Sequence, residues 1–171
     1  RDNAEVSPGF RYLVGVKLCF SDGTPDIVVY PSNRTAYGRL CKLLTIGNQR
    51  GEKGNPDLRF NDLFGYSDPA SPLEHGPLEN FAQGQLFILV PNERDWVLTE
   101  KTLERLSAEA PGRAWIAGIA RLDGQDRARL NRVDFLAKSH GAKMLASNDA
   151  AYHEPDRHMV LDVVTCIREH T

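Results

Sequence analysis

Residues 86–120 read LFILVPNERDWVLTEKTLERLSAEAPGRAWIAGIA, and this stretch decides the fold class. Its first five residues form a continuous apolar run, which is typical of a parallel strand that is buried on both faces. A second apolar run, at 114–120, predicts the next strand. The residues between the two runs carry apolar side chains at helical spacing, namely Leu103, Leu106 and Ala110. The stretch therefore predicts a β-α-β unit with parallel strands.

Polar and turn residues predict where the helices begin and end. Thr99 is placed to cap the first helix, and Pro111-Gly112 ends it. Asp123 is placed to cap a second helix, which stops at His140-Gly141. The apolar positions of this second helix are Leu130, Val133, Leu136 and Ala137.

The beginning of the chain predicts a β-hairpin followed by a helix. Over 13–20, apolar residues alternate with other residues, which predicts the first strand. A turn cluster follows, and the run at 26–30, rich in β-branched residues, predicts the second strand. Ser32 or Asn33 can cap the helix, which is expected to end near Gly47. Its inward-facing side chains are predicted to be Tyr37, Leu40, Cys41 and Leu44.

The chain of 171 residues is predicted to be a single α/β unit, either barrel-like or doubly wound. Residues 1–9 form an N-terminal tail, and 48–84 form an irregular insertion that is rich in glycine and proline. The regular β/α units occupy 85–171. They include a strand at 143–147 and a last helix from Asp156 onward.

Composition and charge exclude several classes of protein. With 41% apolar and 26% charged residues, the chain can bury the core of one globular domain. A net charge of −2 provides no bulk positive field for nucleic acid or an anionic membrane. The longest apolar runs, such as that at 86–90, are far shorter than the roughly 20 residues that span a bilayer. Three widely spaced cysteines favour the cytoplasm, and the start at Arg1 indicates a segment of a longer protein.

The best candidate for chemistry is the segment SNDAAYH at 147–153, directly after a predicted strand. Reacting groups in parallel α/β folds lie at the carboxyl ends of strands. The Asp149 carboxylate could bind a divalent metal there or orient a base. The alternative is that Ser147, Asn148 and Asp149 are turn residues that bond to the local backbone.

The other metal-binding and nucleophilic side chains show no recognised pattern. The five histidines have neither the H-x-H nor the H-E-x-x-H spacing. Lys17 is expected to be a surface lysine, and Cys41 and Cys166 are expected to be core residues. The glycine-rich and nucleophile motifs of dinucleotide-binding, P-loop and serine-hydrolase proteins are absent from the sequence.

Four stretches together resemble the PHP domain of bacterial C-family DNA polymerases, over about Phe10 to Thr171. The longest is LVGVKLCFSDGTPDIVVYPSNRTAYGRLCKLLTIG at 13–47, in which AYGRLCKLLT is similar to a helix of that family. The others are LFILVPN, SNDAAYHEPDRH and LDVVTCIREHT. The ending TCIREHT resembles the error-prone branch more than the replicative alpha subunit.

The resemblance implies a distorted (β/α)7 barrel, of which this chain is a partial copy without the opening β/α units. Metal-binding members hold a trinuclear centre for phosphoester hydrolysis, but their H-x-H and T-D-H motifs are missing here. Lys17 falls on the glutamate of a G-x-E strand, and Ala151 falls on the histidine of an N-D-x-H motif. Asp149 is the one ligand carried over. The resemblance therefore implies a vestigial metal site and no catalytic residue in this segment.

The implied function is structural support within an error-prone DNA polymerase of translesion synthesis, DNA repair and the damage-inducible SOS response. Mg²⁺ for nucleotidyl transfer would bind in later domains of the parent, and no cofactor is implied for the segment itself. Its partners would be those domains and, through them, DNA, the sliding clamp and mutagenesis accessory proteins. The alternatives are a free-standing PHP-type phosphoesterase and the PHP domain of a replicative polymerase III alpha subunit.

Overall fold

The computed structural model describes residues 12–65, 81–150 and 154–169, which form a mixed α/β fold on one open sheet. The strands are β1 (Val16–Leu18), β2 (Ile27–Pro31), β3 (Gln85–Leu89), β4 (Ala114–Ile119) and β5 (Lys143–Ser147). The helices are α1 (Arg34–Arg50), α2 (Trp96–Glu109), α3 (Asp126–Ser139) and α4 (His158–Glu169). Short 3-10 helices occupy Phe60–Phe64 and Pro155–Arg157. The predicted α/β class is confirmed.

The strands lie in the sheet in the same order as in the chain. β1 pairs with β2, and β2 with β3, in antiparallel register. β3 pairs with β4, and β4 with β5, in parallel register, so that Trp115 has Ile88 on one side and Lys143 on the other. The predicted hairpin and the predicted parallel β-α-β units are both confirmed.

α1, α2 and α3 pack against the same face of the sheet, which we call the helix face. One row of buried side chains crosses four strands of this face, namely Leu18, Ile27, Leu89 and Ile116. The buried helix side chains in the same cluster include Leu43, Leu106 and Leu136. Burial of these apolar surfaces is the main favourable term that holds the three helices on the sheet.

The opposite face, which we call the open face, carries a much smaller apolar cluster. Its buried members are Ile88, Ala117 and Ile119, with Val28, Tyr30, Val90 and Trp115 packed against them. A doubly wound sheet has helices on both of its faces. Because α1, α2 and α3 all lie on the helix face, this part of the chain does not have doubly wound layering.

The beginning of α1 is predicted correctly, and its inward-facing stripe is predicted in part. The backbone N–H of Ala36 donates to the Asn33 side chain at 2.9 Å, which makes Asn33 the N-cap. Leu40 is buried and Leu44 packs against the core as predicted, but Tyr37 and Cys41 are exposed. The other buried residues of the helix are Ala36, Leu43, Ile46 and Gly47. Small residues permit this orientation, since a Cβ at Gly47 would lie 2.6 Å from the Leu58 side chain. The helix also continues past Gly47 to Arg50.

The predicted starts of α2 and α3 are wrong. The N-cap of α2 is Asp95, whose side chain accepts from the N–H of Leu98 at 2.9 Å, while Thr99 is buried within the first turn. α3 begins at Asp126 rather than beside Asp123, with no side-chain cap at Gln125. In both loops several acidic or hydroxyl residues were available, and sequence spacing does not choose between them. The predicted ends of both helices are confirmed.

The remaining elements also match their predictions in kind. The 3-10 helix at Phe60–Phe64 lies within the predicted insertion at 48–84. α4 follows Pro155 as predicted, and its apolar side chains are exposed, namely Met159, Val160, Val163, Val164 and Ile167. The predicted tail at 1–9 and the stretch at 66–80 of the insertion lie outside the described residues.

Candidate functional site

The carboxyl ends of β3, β4 and β5 meet at one edge of the sheet, because these strands are parallel. The antiparallel hairpin brings the start of β2 to the same edge, where the N–H of Val90 donates to the carbonyl of Asp26 at 2.9 Å. We call this the carboxyl edge. It collects Asp26, Glu93, Asp123 and Asp149, and it is where the fold places the predicted site.

Asp149 lies directly after β5 in a tight local turn. Its backbone is left-handed, with a φ of 41°, and its N–H donates to Ser147 Oγ at 3.2 Å. Aspartate and asparagine are the residues that best tolerate this conformation apart from glycine. Both features fit the turn interpretation, and the side chain is exposed. In 12–65, 81–150 and 154–169, no three His, Cys, Asp or Glu side chains group to hold a metal.

Lys17 of β1 is an ion-pairing residue of the carboxyl edge. Its Nζ lies 3.0 Å from Asp26 Oδ2, and the two side chains are 43% and 35% exposed. Burial opposes the charge of the ammonium, but the hydrogen bond and charge of Asp26, followed by the charges of Asp149 and Cys19, outweigh it and raise the pKa of Lys17. Lys17 is thus partly exposed, as expected of a surface lysine, and it is also paired with Asp26.

The sequence interpretation missed a buried charge network around Arg129 of α3, which is only 8% exposed. The guanidinium binds Glu93, with Nε 2.8 Å from Oε2, and also binds Asp123 and Asp126. Arg121 adds a second cation, with its Nε 3.1 Å from Glu93 Oε1. Glu93 follows β3 and the other two carboxylates follow β4, so the network ties together two neighbouring strand ends.

The network explains the local geometry of the loop after β4. The Asp126 carboxylate accepts from the N–H groups of Arg121 and Leu122, both at 2.8 Å. Hydrogen bonds from Arg129 and from the N–H of Gln125 lower the pKa of Asp123. The hydrogen bonds that Arg129 donates to Asp123 and Glu93 raise the pKa of Arg129. These carboxylates are therefore neutralised by the protein's own cations and leave little negative charge for a metal.

A small cleft borders this network. Its volume is about 260 Å³, and its lining residues are Glu93, Trp96, Gln125, Ala128, Arg129 and Arg132. The guanidinium of Arg132 lies 4.7 Å from the centre of the Trp96 ring, which satisfies both groups through a cation–π contact. Since its aromatic and basic groups are already paired, the cleft offers little unpaired chemistry to a ligand.

The signal for the Arg129 network was present in the sequence but weak. Asp126 and Arg129 stand three residues apart, a spacing that brings side chains together on a helix. Glu93 is distant in sequence and meets them only because β3 and β4 are neighbours. The sequence pattern predicts Asp123 as a helix cap and gives no sign that its carboxylate binds Arg129.

The histidines and cysteines that the structure describes take structural or exposed positions. His140 closes α3, with its Nε2 3.4 Å from Glu100 Oε1, and His158 pairs with Asp162 at 3.0 Å. Cys41 and Cys166 are exposed, so the prediction that they are core residues is wrong. Cys41 lies beside the buried stripe of α1, and the apolar side chains of α4 around Cys166 are themselves exposed. His75, His153, His170 and Ala151 lie outside the described residues.

Comparison with characterised proteins finds relatives named error-prone DNA polymerase. One from Bradyrhizobium diazoefficiens is 39% identical over 176 residues and matches 99% of this chain. Relatives of the same name from Caulobacter vibrioides and Brucella abortus are each 38% identical and match 94% and 95% of it. No protein-family model matches the chain.

These relatives are much longer than this chain, which spans only 13–14% of their length. The match runs through almost the whole chain, including the blocks at 13–47 and at its ending that carried the resemblance. The resemblance to error-prone DNA polymerases is therefore confirmed. Among the helices of the described residues, none is long and apolar enough to span a membrane.

Proposed function

Because this chain is homologous to a segment of error-prone DNA polymerases, we propose that it is a PHP-domain segment of such a polymerase and that its role is structural. The observation that carries the proposal is the match of 94–99% of the chain to relatives of that name. In this role the segment supports the domains that bind DNA and transfer nucleotides. It performs no chemistry of its own.

The layering of the sheet supports a partial barrel. In a β/α barrel the helices surround the outer face of the sheet and the inner face closes on itself. The helix face here has the outer arrangement, whereas the open face keeps uncovered apolar groups such as Leu145, which is 37% exposed. The Nε1 of Trp115, also on this face, is buried without an acceptor among the described residues. Further β/α units of the parent polymerase would cover Leu145 and provide the acceptor for Trp115 Nε1.

The carboxyl edge supports the absence of hydrolytic chemistry. Arg129 binds the carboxylates that follow β3 and β4, and Lys17 binds Asp26. Asp149 is then the one carboxylate assigned to the vestigial metal site, and a hydrolytic metal centre needs several such ligands. The same features disfavour a free-standing phosphoesterase.

The wider setting of the segment follows from the parent protein. The parent would act in translesion synthesis and DNA repair in the cytoplasm as part of the SOS response, with Mg²⁺ bound in its other domains. Contacts with DNA, the sliding clamp and accessory proteins would be made through those domains. The segment itself would contact the remainder of its own polymerase chain.

Core truncation in the full-length polymerase tests the structural role. Leu40 is 2% exposed, and Leu40→Ala should cost about 2–5 kcal/mol of unfolding free energy because it leaves a cavity under α1. Primer extension should fall in step with the melting temperature, as measured by calorimetry on the same preparations.

The matched variant for this test is Asp149→Asn, which keeps size and turn geometry while removing the charge. Primer extension by this variant should equal that of the wild type. Loss of extension in Asp149→Asn at an unchanged melting temperature, together with a harmless Leu40→Ala, would refute the structural role.

A further inference from the structure

α4 carries a row of exposed apolar side chains along one face. Val160, Val163, Val164 and Ile167 stand at i, i+3, i+4 and i+7, and they are 54–69% exposed. This spacing is typical of an amphipathic helix whose apolar face packs against another element. In the part of the chain that the structure describes, α4 therefore has the pattern of a packed helix while its apolar face stays exposed.

The other β/α units show where a helix of this kind packs. α2 follows β3 and packs on both β3 and β4, and α3 follows β4 and packs on both β4 and β5. Each of these helices thus covers the strand before it and the strand after it on the helix face. α4 follows β5, which is the outermost strand of the sheet in the described residues. The same arrangement for α4 requires one more strand beside β5.

β5 is less covered than a parallel strand normally is. The β4–β5 register places Met144 opposite Ile116 and Ala146 opposite Gly118, so both β5 side chains point to the helix face. Met144 packs against the core cluster, but Ala146 is exposed. Among the described residues no strand pairs with the edge of β5 that faces away from β4, so backbone groups on that edge lack ladder partners. β5 therefore offers an unpaired edge and uncovered surface on the helix face.

We propose that β5 pairs with a further parallel strand of the parent polymerase and that α4 packs over β5 and this strand, next to α3 on the helix face. The proposal deepens the proposed function and rests on it, because that function supplies the longer chain, of which this segment spans 13–14% in its relatives. The added strand would carry apolar side chains toward α4, since these cover its exposed valines and Ile167. The resulting β-α-β connection is the one that α2 and α3 already make.

Other occupants of the same surface differ in what they leave exposed. A helix or a domain surface that packs on α4 alone would leave the edge of β5 unpaired. A second copy of the chain would cover α4 only at protein concentrations that support a dimer. Burial of α4 together with pairing of β5, both independent of concentration, is therefore the signature of the added strand.

Cysteine accessibility in the full-length polymerase tests whether α4 is buried. Val163 of α4 and Val97 of α2 form a matched pair, because they are 55% and 62% exposed in this structure. Each is replaced in turn, as Val163→Cys and Val97→Cys, and the rate of maleimide labelling is measured by peptide mass spectrometry. Because a buried thiol reacts only when the structure opens locally, Val163→Cys should be labelled at least about tenfold more slowly than Val97→Cys. Equal labelling rates would overturn the proposal.

Site-resolved hydrogen exchange in the same protein tests the pairing of β5. Pairing on both edges predicts slow exchange at every backbone N–H of β5, whereas a free edge predicts fast exchange at those that point away from β4. The amides of β4, which has a strand on each side, serve as the reference. Fast exchange at alternate amides of β5 would contradict the proposal. So would protection of α4 or β5 that disappears on dilution, because that result indicates a second copy.

The outcome is separable from that of the proposed function. Labelling and exchange report on the burial of α4 and β5, whereas primer extension reports on whether Asp149 has a catalytic part. If Asp149→Asn abolished extension while Val163→Cys stayed protected, the strand pairing would stand and the structural role would fall. If extension were unchanged and Val163→Cys reacted as fast as Val97→Cys, the structural role would stand without this pairing.

Discussion

The loops after β3 and β4 and the loop after β5 reach the same edge of the sheet, but they use their carboxylates differently. Glu93, Asp123 and Asp126 converge on Arg129, which is almost fully buried. Asp149 stays exposed, and its backbone N–H donates to Ser147 Oγ within its own turn. The contrast teaches that acidic residues at strand ends do not by themselves indicate a metal site, because a buried arginine can be their partner.

The contrast also separates two roles of charge at the carboxyl edge. At the ends of β3 and β4 the charges are paired within the protein, so they contribute to the folded state. At the end of β5 the single carboxylate of Asp149 is exposed. Removing a charge should therefore have a large effect on the melting temperature at the ends of β3 and β4, and a small one at the end of β5.

The largest expected effect comes from Arg129→Met. This change leaves three carboxylates close together without their shared cation, and such like charges repel. The melting temperature should fall by about 10 °C, as measured by calorimetry. The control is Arg127→Met on the exposed side of the same helix, which should shift it by about 2 °C or less. Equal shifts for the two variants would mean that the network does not stabilise the fold.

A smaller effect on the melting temperature is expected when acid protonates Asp123. Arg129 and the Gln125 N–H hold the pKa of Asp123 below its ordinary 3.8. Its stabilising contribution is therefore complete above about pH 4 and is lost as the pH falls through the lowered pKa. Asp123→Asn should flatten the decline of melting temperature below pH 4. If the melting temperature of Asp123→Asn fell as steeply in acid as that of the wild type, Asp123 would not contribute to the acid destabilisation.

Much of the fold follows from local sequence patterns. The apolar runs of β3 and β4 and the hairpin alternation carry strong periodic signals, and all were assigned correctly. The inward stripe of α1 was assigned only in part: Leu40 is buried as predicted, but Ala36 and Gly47 are too small to mark a buried face by hydrophobicity. Tertiary packing against Leu58 decides that orientation, and packing of this kind has no local signature.

The candidate site was less accessible to sequence reasoning than the fold. Asp149 was found because it follows a strand, and its turn was one of the two stated alternatives. The Arg129 network was missed, because it joins residues from two loops and a helix that only the sheet brings together. Long-range ion pairs show no periodicity, and so their partners emerge only once the strand order is known.

The most direct test of the structural role is hydrolysis of a phosphodiester by the full-length polymerase in Mn²⁺ or Zn²⁺, compared between wild type and Asp149→Asn. Asp149→Asn should change the unfolding free energy by less than about 0.5 kcal/mol, since Asn tolerates the same left-handed turn. We expect no metal-dependent hydrolysis that depends on Asp149. Hydrolysis in the wild type that disappears in Asp149→Asn at an unchanged melting temperature would contradict the account.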